Sequence, residues 1–103
     1  MDIKIEAQQV ENGQAFSEKA TKELSNRFGE YGFLDAMDLK LTKTDQDLHK
    51  VGLQTKPHGG QMIYASAEDV IESRALYAAM KKLHGQLERY KEIHYKSSHK
   101  NKK

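Results

Sequence analysis

The chain has no cysteine in its 103 residues. That excludes a disulfide scaffold, thiolate zinc sites and cysteine nucleophiles, and it suits a reducing compartment such as the cytoplasm. No apolar run approaches the roughly 20 residues of a membrane span, so no membrane role is expected. Asp2, Lys4 and Glu6 interrupt the first apolar residues, so no signal-peptide core is expected there. Proline occurs once, at Pro57. No glycine-rich phosphate loop precedes a helical pattern, and Gly59-Gly60 reads as a turn ahead of a strand. The histidines are His49, His58, His84, His94 and His99. None forms an i, i+3 or i, i+4 pair, the spacing with which a helix aims two imidazoles at one metal. Asp45 and Asp47 lie in a turn-forming run, where Asp is ordinary. No cofactor, metal or small-molecule substrate is expected, and no convergent acid, base or nucleophile supports an enzyme.

Charge is present in quantity but nearly balanced, with 17 basic and 15 acidic residues and a net charge of +2. Its distribution is uneven. Residues 1–67 carry 8 Lys/Arg and 10 Asp/Glu, whereas residues 68–103 carry 9 and 5. From Lys81 onward, 8 basic residues face only Glu88 and Glu92. A basic segment gathered at one end suits a nucleic-acid or anionic partner. Hydrophobic content is 37% and mean hydropathy is −0.86. A chain of this length buries about two-thirds of its unfolded surface, enough for one domain with little surplus stability. That domain is expected over 1–96, with a basic, disordered tail at 97–103.

Periodicity divides the chain. Ile3, Ile5 and Ala7 alternate with Asp2, Lys4 and Glu6, which predicts a half-buried strand. Asn12 and Gly13 can cap the helix that follows. Phe16, Ala20, Leu24 and Phe28 lie four apart, predicting a helix from Gln14 to Phe28 that Gly29 ends. Lys19, Lys22 and Asn26 face away from its apolar stripe. Glu30 to Leu34 reads as a turn. Met37, Leu39 and Leu41 mark a second strand, and Val51, Leu53 and Thr55 a third. Ile63, Ala65 and Ala67 mark a fourth, opposite Met62, Tyr64 and Ser66. A long helix follows, with Asp69 and Ser73 both open as N-cap. The order is β-α-β-β-β-α, an α+β fold. The economical packing sets both helices on one face of a four-stranded sheet, with the first two strands parallel and the rest an antiparallel meander.

The long helix has two chemistries. Leu76, Met80, Leu83, Leu87 and Tyr90 form its apolar stripe. At about 100° per residue, Arg74, Ala78, Lys81, Gly85, Arg89 and Lys96 fall opposite, with Lys82 beside them. Long cations separated by small residues suit a phosphate backbone. The candidate RNA contacts are Lys81, Lys82, Arg89, Lys91 and Lys96, joined by Arg74 and by Lys19 and Lys22 of the first helix. They would act by shape and phosphate contact. Tyr64 is expected on the open sheet face. The charges around it are mixed in sign, which argues against base readout there.

The strand end Ile63-Tyr64-Ala65-Ser66-Ala67-Glu68, the run Leu76-Tyr77-Ala78-Ala79-Met80, and Lys82, Leu83, Gln86, Leu87 and Lys91 resemble the ribosome hibernation promoting factor family. Its members are also called ribosome-associated inhibitors or sigma-factor modulation proteins. The resemblance is to the short form. It implies a fold related to double-stranded-RNA-binding domains. It also implies a bacterial stress-response factor that binds the small ribosomal subunit and its RNA between head and body, halting translation and preserving idle ribosomes. Lys82 and Lys91 match lysines of the family's helix motif. A monomer off the ribosome is expected. Two other readings are a general double-stranded RNA-binding module and a protein-interaction modulator of a transcription factor.

Overall fold

Alternating side chains need a sheet to bury them on one side, and helical stripes need that same apolar side. A computed structural model of the chain realises this arrangement; it describes residues 1–8 and 13–96, with side chains described through His94. The elements are β1 (Asp2–Ala7), α1 (Gly13–Phe28), β2 (Leu34–Lys43), β3 (His49–Pro57), β4 (Ile63–Asp69) and α2 (Glu72–Lys91), followed by a π-helical turn, Glu92–Lys96. The sheet order is β1-β2-β3-β4. β1 pairs parallel with β2, and the other two pairings are antiparallel. The α+β fold and its parallel-plus-meander sheet are those expected from the hydrophobic pattern.

The core lies between the sheet and the helices. Phe16, Ala20, Leu24 and Phe28 of α1 and Leu76, Met80, Leu83 and Leu87 of α2 are buried against Met37, Leu39, Leu41, Val51 and Leu53. Each of the Leu, Met, Phe and Val side chains removed from water contributes about 1.5–3 kcal/mol, which is what a small chain needs to offset its ordering entropy. Tyr90 is half-buried. Its ring lies 5.5 Å from Phe33, and its hydroxyl donates to the His58 carbonyl at 3.0 Å. It closes the rim of the stripe and does not enter the centre.

Several boundaries differ from the sequence reading. α1 starts at Gly13, which is therefore inside the helix; Asn12 lies outside the described residues. Leu34 is the first residue of β2 and is buried, not part of the preceding turn. The register shifts between Leu34 and Met37. There Thr55, only 2% exposed, donates its hydroxyl to the Ala36 carbonyl at 2.6 Å. That bond satisfies a carbonyl the bulge takes out of the ladder. Neither Asp69 nor Ser73 caps α2: the N-cap is Ile71, without a side-chain cap. Asp69 instead accepts the Ile71 N–H at 2.9 Å, a local turn that swings the chain from β4 into the helix. The expected tail at 97–103 lies outside the described residues.

Candidate RNA-binding face

α1 and α2 run in the same direction on one side of the sheet. The N-terminal ends of the two helices share a hollow of about 140 Å³ that includes Lys19 and Ser73. Further along, the Arg27 guanidinium sits 5.5 Å over the Tyr77 ring. Past the end of α1, Tyr31 donates its hydroxyl to Glu88 of α2. Burial, then the hydrogen bond and charge of Glu88, hold the Tyr31 phenol above its ordinary pKa. His84 stands beside the same carboxylate, at 3.9 Å.

The predicted cations separate into groups. Lys19, Lys22, Arg74, Lys81, Lys82, Arg89 and Lys91 are all exposed. The side chain of Lys96, in the terminal turn, is not among those described. At about 100° per residue, Lys81, Arg74, Arg89 and Lys82 lie within about 100° of the α2 circumference, facing away from the sheet or toward the β4 edge. Lys91 is set apart on the α1 flank, with His84. Ala78 does not belong wholly to the outer face: it is half-buried against the core. Gly85 does, and a Cβ placed on it would meet nothing within 4 Å among the described residues.

Electrostatics keep this face positive. The ion pairs within 4.0 Å among the described residues all involve histidine: His49–Glu72, His58–Asp35 and His84–Glu88. No described lysine or arginine is matched to a described carboxylate at that distance. Lys82 is nonetheless engaged. Its ammonium donates to the Ser66 carbonyl at 2.9 Å, and one turn on, Gln86 donates to the Tyr64 carbonyl at 3.1 Å. One of three ammonium donors is thus used to hold α2 on the sheet edge. Arg27 was missing from the sequence-predicted set. Its place in the last turn of α1 was visible, but its contact with Tyr77, 50 positions away in the chain, was not.

The opposite face of the sheet is different. A shallow hollow of about 520 Å³ runs over Lys4, Glu6, Asp38, Lys40, Lys50 and Tyr64. Cross-strand register sets Lys4 beside Asp38 and Glu6 beside Lys40. It also sets Lys50 beside Glu68. Opposite charges alternate, so no net positive surface forms. Tyr64 is 52% exposed, and its phenol covers Gly52, with the hydroxyl 2.8 Å from where a Cβ would stand. Among the described residues it is a lone aromatic laid flat on this face of the sheet, not one of a row of stacking platforms. Among the described residues, no group of three or more His, Cys, Asp or Glu converges as metal ligands would. No described helix is long and apolar enough to cross a membrane.

Solved structures share the fold. A ribosomal subunit interface protein from Coxiella burnetii superposes with a TM-score of 0.77 at 24% identity, over 88% of this chain and 98% of that one. The N-terminal domain of Protein Y from Thermus thermophilus gives 0.74 at 21% identity, over 87% of this chain and 99% of that one. No curated protein sequence matches the chain. The sequence itself matches a family description over residues 3–94, nearly the whole of the fold described above. The chain therefore belongs to the Sigma 54 modulation protein / S30EA ribosomal protein family.

Proposed function

We propose that this chain is a non-enzymatic ribosome-binding protein of the cytoplasm. It docks as a single copy on the small subunit, in the channel that messenger and transfer RNA otherwise occupy. Occupying that channel halts translation and keeps idle ribosomes intact. The mechanism is steric exclusion with charge neutralisation; no covalent bond is made or broken. The observation that carries the reading is the outer side of α2, where Arg74, Lys81 and Arg89 project with no carboxylate partner among the described residues. Family membership supports the choice of ribosomal RNA as the anion that covers them. The similar fold from Coxiella burnetii is that of a ribosomal subunit interface protein, which points the same way.

The test is sedimentation of the protein with purified ribosomes and subunits through sucrose gradients at low and high salt. Co-migration with small subunits at low salt, lost at high salt, is the expected result. Protein that stays at the top of the low-salt gradient would overturn the reading. Adding free duplex RNA as competitor separates the alternative, because a general double-stranded RNA-binding module would be titrated off the ribosome by any duplex.

A further inference from the structure

The two edges of the sheet are treated differently. At the β4 edge, the outward carbonyls of Tyr64 and Ser66 are taken by Gln86 and Lys82. At the β1 edge, Gln8 donates its N–H to the Leu41 carbonyl at 2.9 Å, so the backbone at Gln8 points toward β2. Backbone groups of successive strand residues point to alternate sides. Lys4 and Glu6 therefore also point toward β2, while the N–H and C=O groups of Ile3, Ile5 and Ala7 point out along the edge. None of these outward groups has a hydrogen-bond partner among the described residues. The side chains carry a matching deficit. Ile3, Ile5 and Ala7 are only half-buried, whereas their β2 neighbours Met37, Leu39 and Leu41 are 1%, 2% and 0% exposed. An open edge of this kind is a template for another strand.

We infer that the β1 edge is a self-association site that takes a second copy of this chain, paired antiparallel about a twofold axis through Ile5. In this register Ile5 faces Ile5, and Ile3 faces Ala7 of the second copy. These are the residues whose backbone groups point outward, so they form the hydrogen-bonded pairs. Lys4 then falls opposite Glu6 of the second copy, twice, in the close non-hydrogen-bonded positions. Apolar side chains stay on the helix side and charges on the open side, giving one eight-stranded sheet. Competing registers are worse. A twofold at Lys4 opposes Lys4 to itself and Asp2 to Glu6, and a twofold at Glu6 opposes like carboxylates. Centring on Ile3 matches Asp2 with Lys4 but leaves Ala7 unpaired. Registers centred between residues put apolar side chains opposite charged ones. The strand is thus complementary to itself in one full-length register. Its six residues make a contact well below the size of a standard stable interface. The association is weak and concentration-dependent, and it replaces the expected monomer with a monomer–dimer equilibrium in the free protein. It stands independently of the ribosome reading.

The test is sedimentation equilibrium of the full chain from micromolar to millimolar concentration. The mass should rise from 11.8 kDa toward twice that value. Amide exchange at Ile3, Ile5 and Ala7 should slow over the same range. Lys4→Glu and Glu6→Lys should each weaken association by roughly tenfold, since two opposed pairs change sign together. The double variant should recover it. The double variant also carries both new like-charge contacts within the sheet, so its recovery cannot come from the monomer fold. Circular dichroism reports that each variant is folded. A constant mass of 11.8 kDa at every concentration would overturn the proposal. So would a double variant no better than the singles, or exchange at the three amides that ignores concentration.

Discussion

The Lys82 ammonium lies 2.9 Å from the Ser66 carbonyl, so it belongs to the fold as well as to the cationic face. Its chain neighbour Lys81 makes no hydrogen bond or ion pair among the described residues. The two lysines should therefore separate in mutagenesis. Lys82→Ala should lower stability by about 0.5–1 kcal/mol, the net worth of one exposed hydrogen bond that ties helix to sheet edge, and should also weaken ribosome binding. Lys81→Ala should weaken binding without moving the melting temperature. Thermal melts beside subunit pelleting check this; equal losses of stability in both variants would contradict the assignment of Lys82.

Gly85 sits in the exposed middle of α2, where glycine costs about 1 kcal/mol relative to alanine. Among the described residues nothing within 4 Å would meet an added Cβ, so their packing does not require glycine. Gly85→Ala should raise stability by about that amount. It lies among Lys81, Arg89 and Lys82 on the outer side of the helix, so the same methyl should stand in the way of an approaching RNA backbone. The expected variant is more stable in denaturant titration and binds small subunits less tightly. Unchanged affinity would mean that the RNA does not come close at this turn.

Tyr31 links pH to stability. Its phenol is held above the ordinary value near 10, first by burial and then by the hydrogen bond and negative charge of Glu88. A raised folded-state pKa means that the folded chain holds the proton more tightly than the unfolded one. The stabilisation is complete below about pH 10 and is lost as pH rises through the folded value. Tyr31→Phe lacks this component. Wild-type stability should fall more steeply than that of Tyr31→Phe above about pH 10. Denaturant midpoints across that range measure the difference, and ultraviolet titration of the phenolate should show one tyrosine that ionises late. Parallel curves for the two proteins would remove Tyr31 from the account.

The pattern that made the fold legible is periodic and local. Phe16, Ala20, Leu24 and Phe28 recur at helical spacing, and Met37, Leu39 and Leu41 at strand spacing, so burial follows from position alone. What escaped depends on partners distant in the chain. Leu34 does not continue the alternation of Met37, because a bulge intervenes and Thr55 satisfies the carbonyl it displaces. Ser73 and Asp69 both have cap chemistry, and the choice of Ile71 comes from where β4 ends. On the candidate face, helical geometry placed Arg74, Lys81, Lys82 and Arg89 on adjoining sides. It could not show that Lys82 reaches Ser66 or that Arg27 covers Tyr77. Those contacts join residues 16 and 50 positions apart.

Salt should read out the number of phosphates engaged. Arg74, Lys81, Lys82, Arg89 and Lys91 are exposed, and none is paired with a described carboxylate within 4.0 Å. Each cation that neutralises a phosphate releases a condensed counterion. About five such contacts give a slope of log affinity against log salt of roughly −3.5 to −4.5. Removing one cation, as in Arg89→Gln, should make the slope shallower by about 0.7–0.9 while leaving stability within about 0.5 kcal/mol, since the side chain is a surface one. A substitution on the open sheet face, Lys50→Gln, should leave the slope where it was, because that lysine stands beside Glu68 on a surface of alternating sign. The measurement is pelleting of small subunits with labelled protein over a range of potassium concentrations. A slope near zero for the unaltered chain would mean that the cationic side of α2 does not meet phosphate, and the ribosome would then be held through the sheet or not at all.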